Sequence, residues 1–479
     1  MMETIYNATA TLKWENEKIQ NLKCDIHIDK DSWDFFNINM RIPVDSFHKL
    51  KCAFKVKFSA KSGNLSFLSK EAYLVHSHWE KLKSGQIECN AMLELYDLIV
   101  YETLNVVNSN KSYNKGITII FTLNYNKYLP DYKKLLTCYD GSVKLLKTGE
   151  NEYVNLSEAF KCRFDTYYDF EDKGNEQIAT ARKVCLVSTK LSNYSHSTIL
   201  NNIVNKMDDL LLLTSLFYRQ RMIWTDFQYC AKNKKITHYR RKYKKEFVEW
   251  ETPYPVGLGS GNLYKFLNST FPVFLRSKYK NEIVKAIYAL SLNYGKNLIS
   301  ESNFLNMFSS IEWLVLKYRK LNSKEFIIVN ESKWRKIRKE VVTTIKNTIQ
   351  DEEQEKLVID KIGELRRYPL RQAYLAFCKK YNIDLEILWA LFYANKEDKP
   401  GLSDLRNYLI HESNCEITNV LIYANYNLQW TLERILLTLL KWSLVDSNVS
   451  NRNLQFSYPV SRLKEVKKKA AEKLFKRNS

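Results

Sequence analysis

At 479 residues the chain is roughly three times the length of a typical ~150-residue domain, so two or three domains are expected, and 45% hydrophobic and 27% charged residues with only 12 Gly and 8 Pro are a globular composition that excludes long disordered linkers. Lys and Arg outnumber Asp and Glu by 74 to 53, a formal charge of +21 that favours a polyanionic partner. Nine cysteines (24, 52, 89, 138, 162, 185, 230, 378, 415), an odd count with no C-x-x-C pair, argue for reduced thiols in the cytoplasm and against a disulfide framework or a zinc ribbon.

The first residues, MMETIYNATATLKWENEK, lack a basic stretch followed by an apolar core, so no signal peptide is expected. From there to about residue 190 apolar and polar residues alternate, in 8–14, 24–28, 36–40, 52–58, 116–123 and 183–187. Period two predicts half-buried antiparallel strands, with turn signals at Lys61-Ser62-Gly63-Asn64 and Asp140-Gly141. A β-rich, sandwich-like domain over 1–196 follows. His76-Ser77-His78 would place two imidazoles on one face of a strand, but with no Cys, Asp or Glu cluster nearby no metal site is expected. Asp165 to Asp172, acidic and aromatic, reads as an exposed loop.

Over 197–217 the spacing turns helical, and 220–229 reads as a strand leading into Lys232 to Lys245, where eight basic residues and no acid occupy fourteen positions with two tyrosines among them. Lys234, Lys235, Arg240, Arg241, Lys242 and Lys244 are the candidate RNA contacts, since cations neutralise phosphates and aromatic rings stack on unpaired bases. A solvated hairpin whose charge protects a sheet edge is the competing explanation. Pro253, Pro255, Gly257, Gly259 and Gly261 close this connecting segment, 197–261.

Everything beyond reads helical: 266–275 with a break at Pro272, 282–294, 303–318, 333–349, 370–380, 403–411, 417–442 and 462–475. An all-α bundle over 262–446 is the simplest packing, followed by a basic amphipathic helix in 447–479, where Arg462 to Arg477 holds eight basic and two acidic residues. The most apolar run, Ile435 to Leu440, is too short to cross a membrane, so no membrane partner is expected. The fold class is thus α+β multidomain.

In the helix over 403–411, capped by Ser403 or Asp404, Arg406 and His411 stand five residues apart, with Asn407 directly after the arginine. An imidazole titrates near neutral pH and moves a proton from a ribose hydroxyl, while a guanidinium holds charge that builds on phosphorus. Five residues turn a helix by about 500°, leaving the two side chains roughly 140° apart. Either His411 sits at a frayed helix end, or two chains each bring the motif to a shared cleft, which predicts a twofold homodimer. Glu312 shares a helical face with Leu305, Phe308 and Leu316, and is a supporting candidate for Arg406 or His411 if it does not simply reach water.

Arg406-Asn407-x-x-x-His411 near the end of a helical domain resembles the R-x4-6-H signature of HEPN ribonucleases. The order of a β-rich part before the bundle, with Leu213 to Phe217, Arg221 to Trp224 and Phe308 to Leu314, is similar to the ApeA-type HEPN proteins of bacterial antiphage defence. The resemblance implies a metal-independent endoribonuclease without a cofactor, dimeric through the motif, acting on RNA, with transfer RNA favoured. His411 would be general acid or base at the 2′-hydroxyl, Arg406 would bind the scissile phosphate and Asn407 would orient one of them. It also implies an abortive-infection effector restrained until a phage-derived activator appears, with the β-rich part as regulator. A non-catalytic HEPN bundle that binds nucleic acid or a protein is the alternative.

Overall fold

The computed structural model describes the chain except residues 1–3, 29–35, 52, 54, 82–83, 86, 105–116, 125–128, 138–142, 148–151, 174–175, 190–195, 232–233, 241–262, 292–300, 394–398, 412–417 and 476–479. It divides into two compact units, one of Met1–Leu212 with Met222–Val248, the other of Leu213–Arg221 with Glu249–Ser479.

The first unit is built on β-strands. Strands β1 (Thr4–Trp14), β2 (Glu17–Ile28) and β3 (Phe36–Pro43) are followed by helix α1 (Val44–Lys51), then by β4 (Val56–Ser62), β5 (Leu65–Lys81), β6 (Ile87–Leu95) and β7 (Asp97–Thr103). Alternation works as expected here: in β2 the side chains of Leu22, Cys24, Ile26 and Ile28 are buried while Lys23 and Asp25 face solvent. Gly63 turns β4 into β5 with φ +57°, a conformation that L side chains adopt at a cost.

The architecture differs from the sandwich expected of these strands. The neighbours run β5-β4-β1-β2-β3-β6, and β6 pairs back onto β5, so six strands close into a barrel instead of forming two stacked sheets. Closure is possible because β5 is 17 residues long. Its first part pairs with β4 and its last part with β6, and the register shift between Leu74 and His76 bends it. Alternation reveals a buried face but says nothing about whether that face curls on itself.

Strand β5 also pairs with β7, and from there the same sheet continues outward. Its members are β8 (Thr118–Leu123), β11 (Val154–Asn155), β12 (Phe160–Lys173), β13 (Glu176–Thr189), β14 (Trp224–Ala231) and β15 (Lys234–Arg240), while β9 (Lys133–Thr137) and β10 (Val143–Lys147) pair separately. The thirteen-stranded order ends β7-β15-β14-β8-β13-β12-β11.

Two expectations fail in this region. Residues 165–172, read as an exposed loop, lie in the middle of β12: Asp165 and Thr166 are buried, and Asp165 Oδ1 accepts from the backbone N–H of Lys133 at 3.1 Å. The acidic composition misled because the partner groups come from elsewhere in the chain. The charged stretch from Lys234 is not an edge either, since β15 lies between β14 and β7. The Asp140-Gly141 turn lies outside the described residues.

Helix α2 (His196–Ile199), a π-helical turn at Leu200–Val204 and α3 (Asn205–Tyr218) realise the helix expected over 197–217, and the partition between the two units falls within α3. Beyond it, the second unit is helical: α4 (Leu263–Arg276), α5 (Lys280–Ser291), α6 (Glu301–Leu321), α7 (Glu331–Thr348), α8 (Glu352–Leu365), α9 (Leu370–Tyr381), α10 (Leu402–His411), α11 (Thr418–Leu439), α12 (Asn451–Leu454), α13 (Tyr458–Ser461) and α14 (Leu463–Phe475). Helices α6 and α11 sit at its centre; α5, α9 and α10 pack on α6, and α13 and α14 on α11.

Pro272 does not break α4. Its ring faces solvent while Phe266, Phe271 and Phe274 on the opposite side are buried, so packing outweighs the lost hydrogen bond. Helix α8 has no counterpart in the sequence reading, because Ile362 is its one buried residue and the apolar spacing that signals a helix is thin. Together α7 and α8 form a pair closed at its base by hydrogen bonds from Ile327 N–H to the Arg366 carbonyl and from Tyr368 N–H to the Glu325 carbonyl, 2.8 and 3.0 Å. In α14, Val466 and Ala470 are buried, whereas Phe475 is exposed. Among the described residues no helix is long and apolar enough to cross a membrane.

Candidate active site

Helix α10, which carries the motif, is fixed at its start by backbone hydrogen bonds and two side chains. The N–H groups of Leu402 and Ser403 donate to the carbonyls of Ala390 and Leu391 at 3.0 and 2.8 Å, and the buried Trp389 indole donates to the Pro400 carbonyl at 2.7 Å. Neither Ser403 nor Asp404 is the cap residue. Asp404 lies one turn in and its carboxylate accepts from Gly401 N–H at 2.8 Å, which is the reciprocal half of a capping box. Gly401 is required for space: a Cβ there would lie 3.0 Å from both the Leu391 carbonyl oxygen and the Tyr393 nitrogen. Leu405, fully buried, then anchors the helix to the interior and sets its rotation.

With Leu405 inward, Arg406 is half-buried at the edge of α10, and Nη2 lies 3.9 Å from Glu312 Oε1 on α6. Its Nη1 donates to Asn407 Oδ1 at 3.1 Å, and the guanidinium carbon stands 5.9 Å from the ring of buried Phe308. The two residues that share a helical face in the sequence, Phe308 and Glu312, therefore both meet Arg406. Burial pushes the Glu312 carboxyl above its ordinary value, and Arg406 offsets part of that rise.

His411 is the last residue of α10, still helical and exposed. Regular helix from Arg406 to His411 puts them about 7.5 Å apart along the axis and roughly 140° apart around it. The structure brings Arg406, Asn407 and Glu312 together. It does not bring His411 onto the same side of α10.

The basic segment divides differently. Lys234 and Lys235 open β15, Lys234 exposed and Lys235 partly so. Arg240 at its end is engaged within the first unit, its Nη1 2.6 Å from Asp208 Oδ1 and its guanidinium 4.7 Å from the Trp224 ring centre. Arg241, Lys242 and Lys244 lie outside the described residues. His76 and His78 do share one face of β5, with ring centres 6.1 Å apart. Among the described residues no group of three or more His, Cys, Asp or Glu is placed to hold a metal.

One feature of the helical unit has no sequence signal. Arg219, in a left-handed conformation with φ 51°, gives a bidentate pair to fully buried Glu433 on α11, with Nε and Nη2 at 2.8 and 2.6 Å. Gln429 donates to the same carboxylate at 3.0 Å. The partners are 214 residues apart, so no local pattern links them.

Comparison with family models, with curated proteins and with solved structures finds no match to this chain.

Proposed function

We propose that the helical unit is a metal-independent endoribonuclease of the HEPN type, dimeric through α10, that cuts RNA, transfer RNA foremost, as an antiphage effector. The observation that carries this reading is the arrangement on α10: a guanidinium held at the rim by Glu312 and Asn407, with an exposed imidazole at the helix end. His411 takes the proton from a ribose 2′-hydroxyl, the 2′-oxygen attacks phosphorus, and the 5′-oxygen leaves, taking a proton from solvent, to give a 2′,3′-cyclic phosphate and a 5′-hydroxyl. Arg406 neutralises the charge that develops on the phosphoryl oxygens. The nucleophile belongs to the substrate, so DNA, which lacks it, survives.

The angle between Arg406 and His411 favours a second copy of the chain as the source of the other half of each site. The β-rich unit is then the regulator, and a phage-derived molecule its trigger. A second reading, a bundle that binds nucleic acid or a protein without cutting, is favoured by one observation: Arg406 is engaged by Glu312 and Asn407 instead of standing open.

Incubation of the purified protein with total RNA, in extracts with and without phage infection, separates them. Cleavage that leaves cyclic phosphate ends and disappears in His411→Ala supports the nuclease. Cutting by His411→Ala at the parental rate overturns it, and RNA retained intact under both conditions favours the binding bundle.

A further inference from the structure

The solvent-facing sides of the barrel strands β1 to β6 line a cleft of about 900 Å³, which the ribonuclease reading does not use. Pairing across the barrel places its polar groups in two adjacent rows. In the first, Lys61 stands opposite Thr9 and Thr9 opposite Lys23; Arg41 stands opposite Asn90 and Asn90 opposite His78. Cys24 pairs with Met40, which sets Lys23 beside Arg41 and joins the two halves. The second row runs from Asp25 through Asn39 and Met92 to His76.

The rows differ in chemistry. The first carries three permanent cations, Lys23, Arg41 and Lys61, all exposed. The second offers the Asp25 carboxylate and the Asn39 amide, whose oxygens accept from N–H and O–H donors. Strands lie about 4.8 Å apart, so Lys23 and Arg41 on adjacent strands can meet one end of a phosphate chain, and Lys61, two strands from Lys23 and about 10 Å away, can reach the other. An arginine fork takes two oxygens of one phosphate. The volume suits a ligand of nucleotide size. Among the described lining residues the histidines carry the rings, and no Phe, Tyr or Trp offers the broad platform on which single strands stack.

We propose that this cleft binds a nucleoside polyphosphate, with Lys23, Arg41 and Lys61 on the phosphates and Asp25 with Asn39 on the nucleoside. His78, whose Nε2 is 3.3 Å from Asn90 Nδ2, closes the phosphate row, and Asn90 is itself held by Glu80 at 2.6 Å. The assignment is independent of the ribonuclease reading.

Calorimetric titration of the full chain with each of the four ribonucleoside triphosphates, with inorganic tripolyphosphate and with a short oligouridine tests it. At least one triphosphate binds, and its affinity falls by about tenfold in Arg41→Gln and in Lys23→Gln, the loss of one charge-assisted contact. Asp25→Asn weakens the triphosphate but not tripolyphosphate. All three side chains are exposed, and an unchanged melting curve certifies each variant's fold. The proposal is overturned if no triphosphate binds, if Arg41→Gln and Lys23→Gln bind it like the parent, if tripolyphosphate binds equally tightly, or if the oligouridine binds more tightly.

Discussion

Glu312 is buried enough on α6 that its carboxyl is held above its ordinary value despite the guanidinium nearby. A carboxyl raised in the folded chain favours the protonated fold, so its contribution to stability is present below the unfolded value of 4.5 and is lost as pH rises through the raised folded value. Glu312→Gln, which stays neutral, should therefore melt at a higher temperature than the parent at pH 7, and the gap should close by pH 4; thermal scans at the two values check this. Equal gaps at both would remove the carboxyl from the account. At the same scale, His411→Ala should lower RNA cleavage by about 10² to 10⁴, the factor a general acid or base supplies, and Arg406→Ala by about 10² to 10³, the factor of a charge-stabilising donor, both with a melting temperature near the parental value. His411 is exposed and Arg406 partly so, which makes both substitutions mild for the fold.

Helix α10 begins at a backbone contact that is tight for any side chain. Gly401→Ala puts a methyl 3.0 Å from two backbone atoms of the 391–393 segment, and overpacking against backbone costs about 1 to 3 kcal/mol. Urea unfolding should show that loss, and RNA cleavage should fall with it because the start of α10 shifts. The buried pair of Arg219 and Glu433 predicts a larger effect. Arg219→Ala removes the guanidinium from a fully buried carboxylate, and breaking such a pair costs about 3 to 5 kcal/mol. The elements themselves were legible to the extent that they repeat a local pattern. The alternation in β3 and the three-four spacing in α6 and α11 located them within a few residues, whereas that in 24–28 and 52–58 marked only part of β2 and β4; the face shared by Phe308 and Glu312 is legible in the sequence of α6, and Arg406 meets it. What could not be read locally was decided by distant partners: β5 bending to close the barrel, β15 inserted between β14 and β7, and the Arg219–Glu433 pair. Helix α8 escaped because its exposed faces leave little apolar period to detect.

A charge of +21 on the whole chain is spent unevenly: Arg240 is committed to Asp208 and Trp224, whereas Lys23, Arg41 and Lys61 gather in one cleft of the first unit. The dimer is the prediction that belongs to this scale. If each site takes Arg406 from one copy and His411 from the other, a mixture of Arg406→Ala and His411→Ala proteins regains activity, since a mixed dimer keeps one intact site. Equal mixing should restore about a quarter of the parental rate, half of the dimers being mixed and each having half its sites. Unmixed variants stay inactive. A mixture as inactive as its parts, in proteins shown to exchange subunits, would place both residues in one chain.

The sheet order also governs how the chain emerges from the ribosome. All six barrel strands are complete by Leu95, so the barrel closes on near neighbours in sequence. Beyond it, Thr103 on β7 pairs with Lys234 on β15, and Thr122 on β8 with Asp226 on β14. Strands β7 and β8 thus wait with open backbone edges until the β14–β15 hairpin has been synthesised, more than a hundred residues later, and is threaded between them. During that interval the nascent chain presents unpaired strand edges to its neighbours on the same message, and the β14–β15 hairpin is the piece whose arrival ends the exposure.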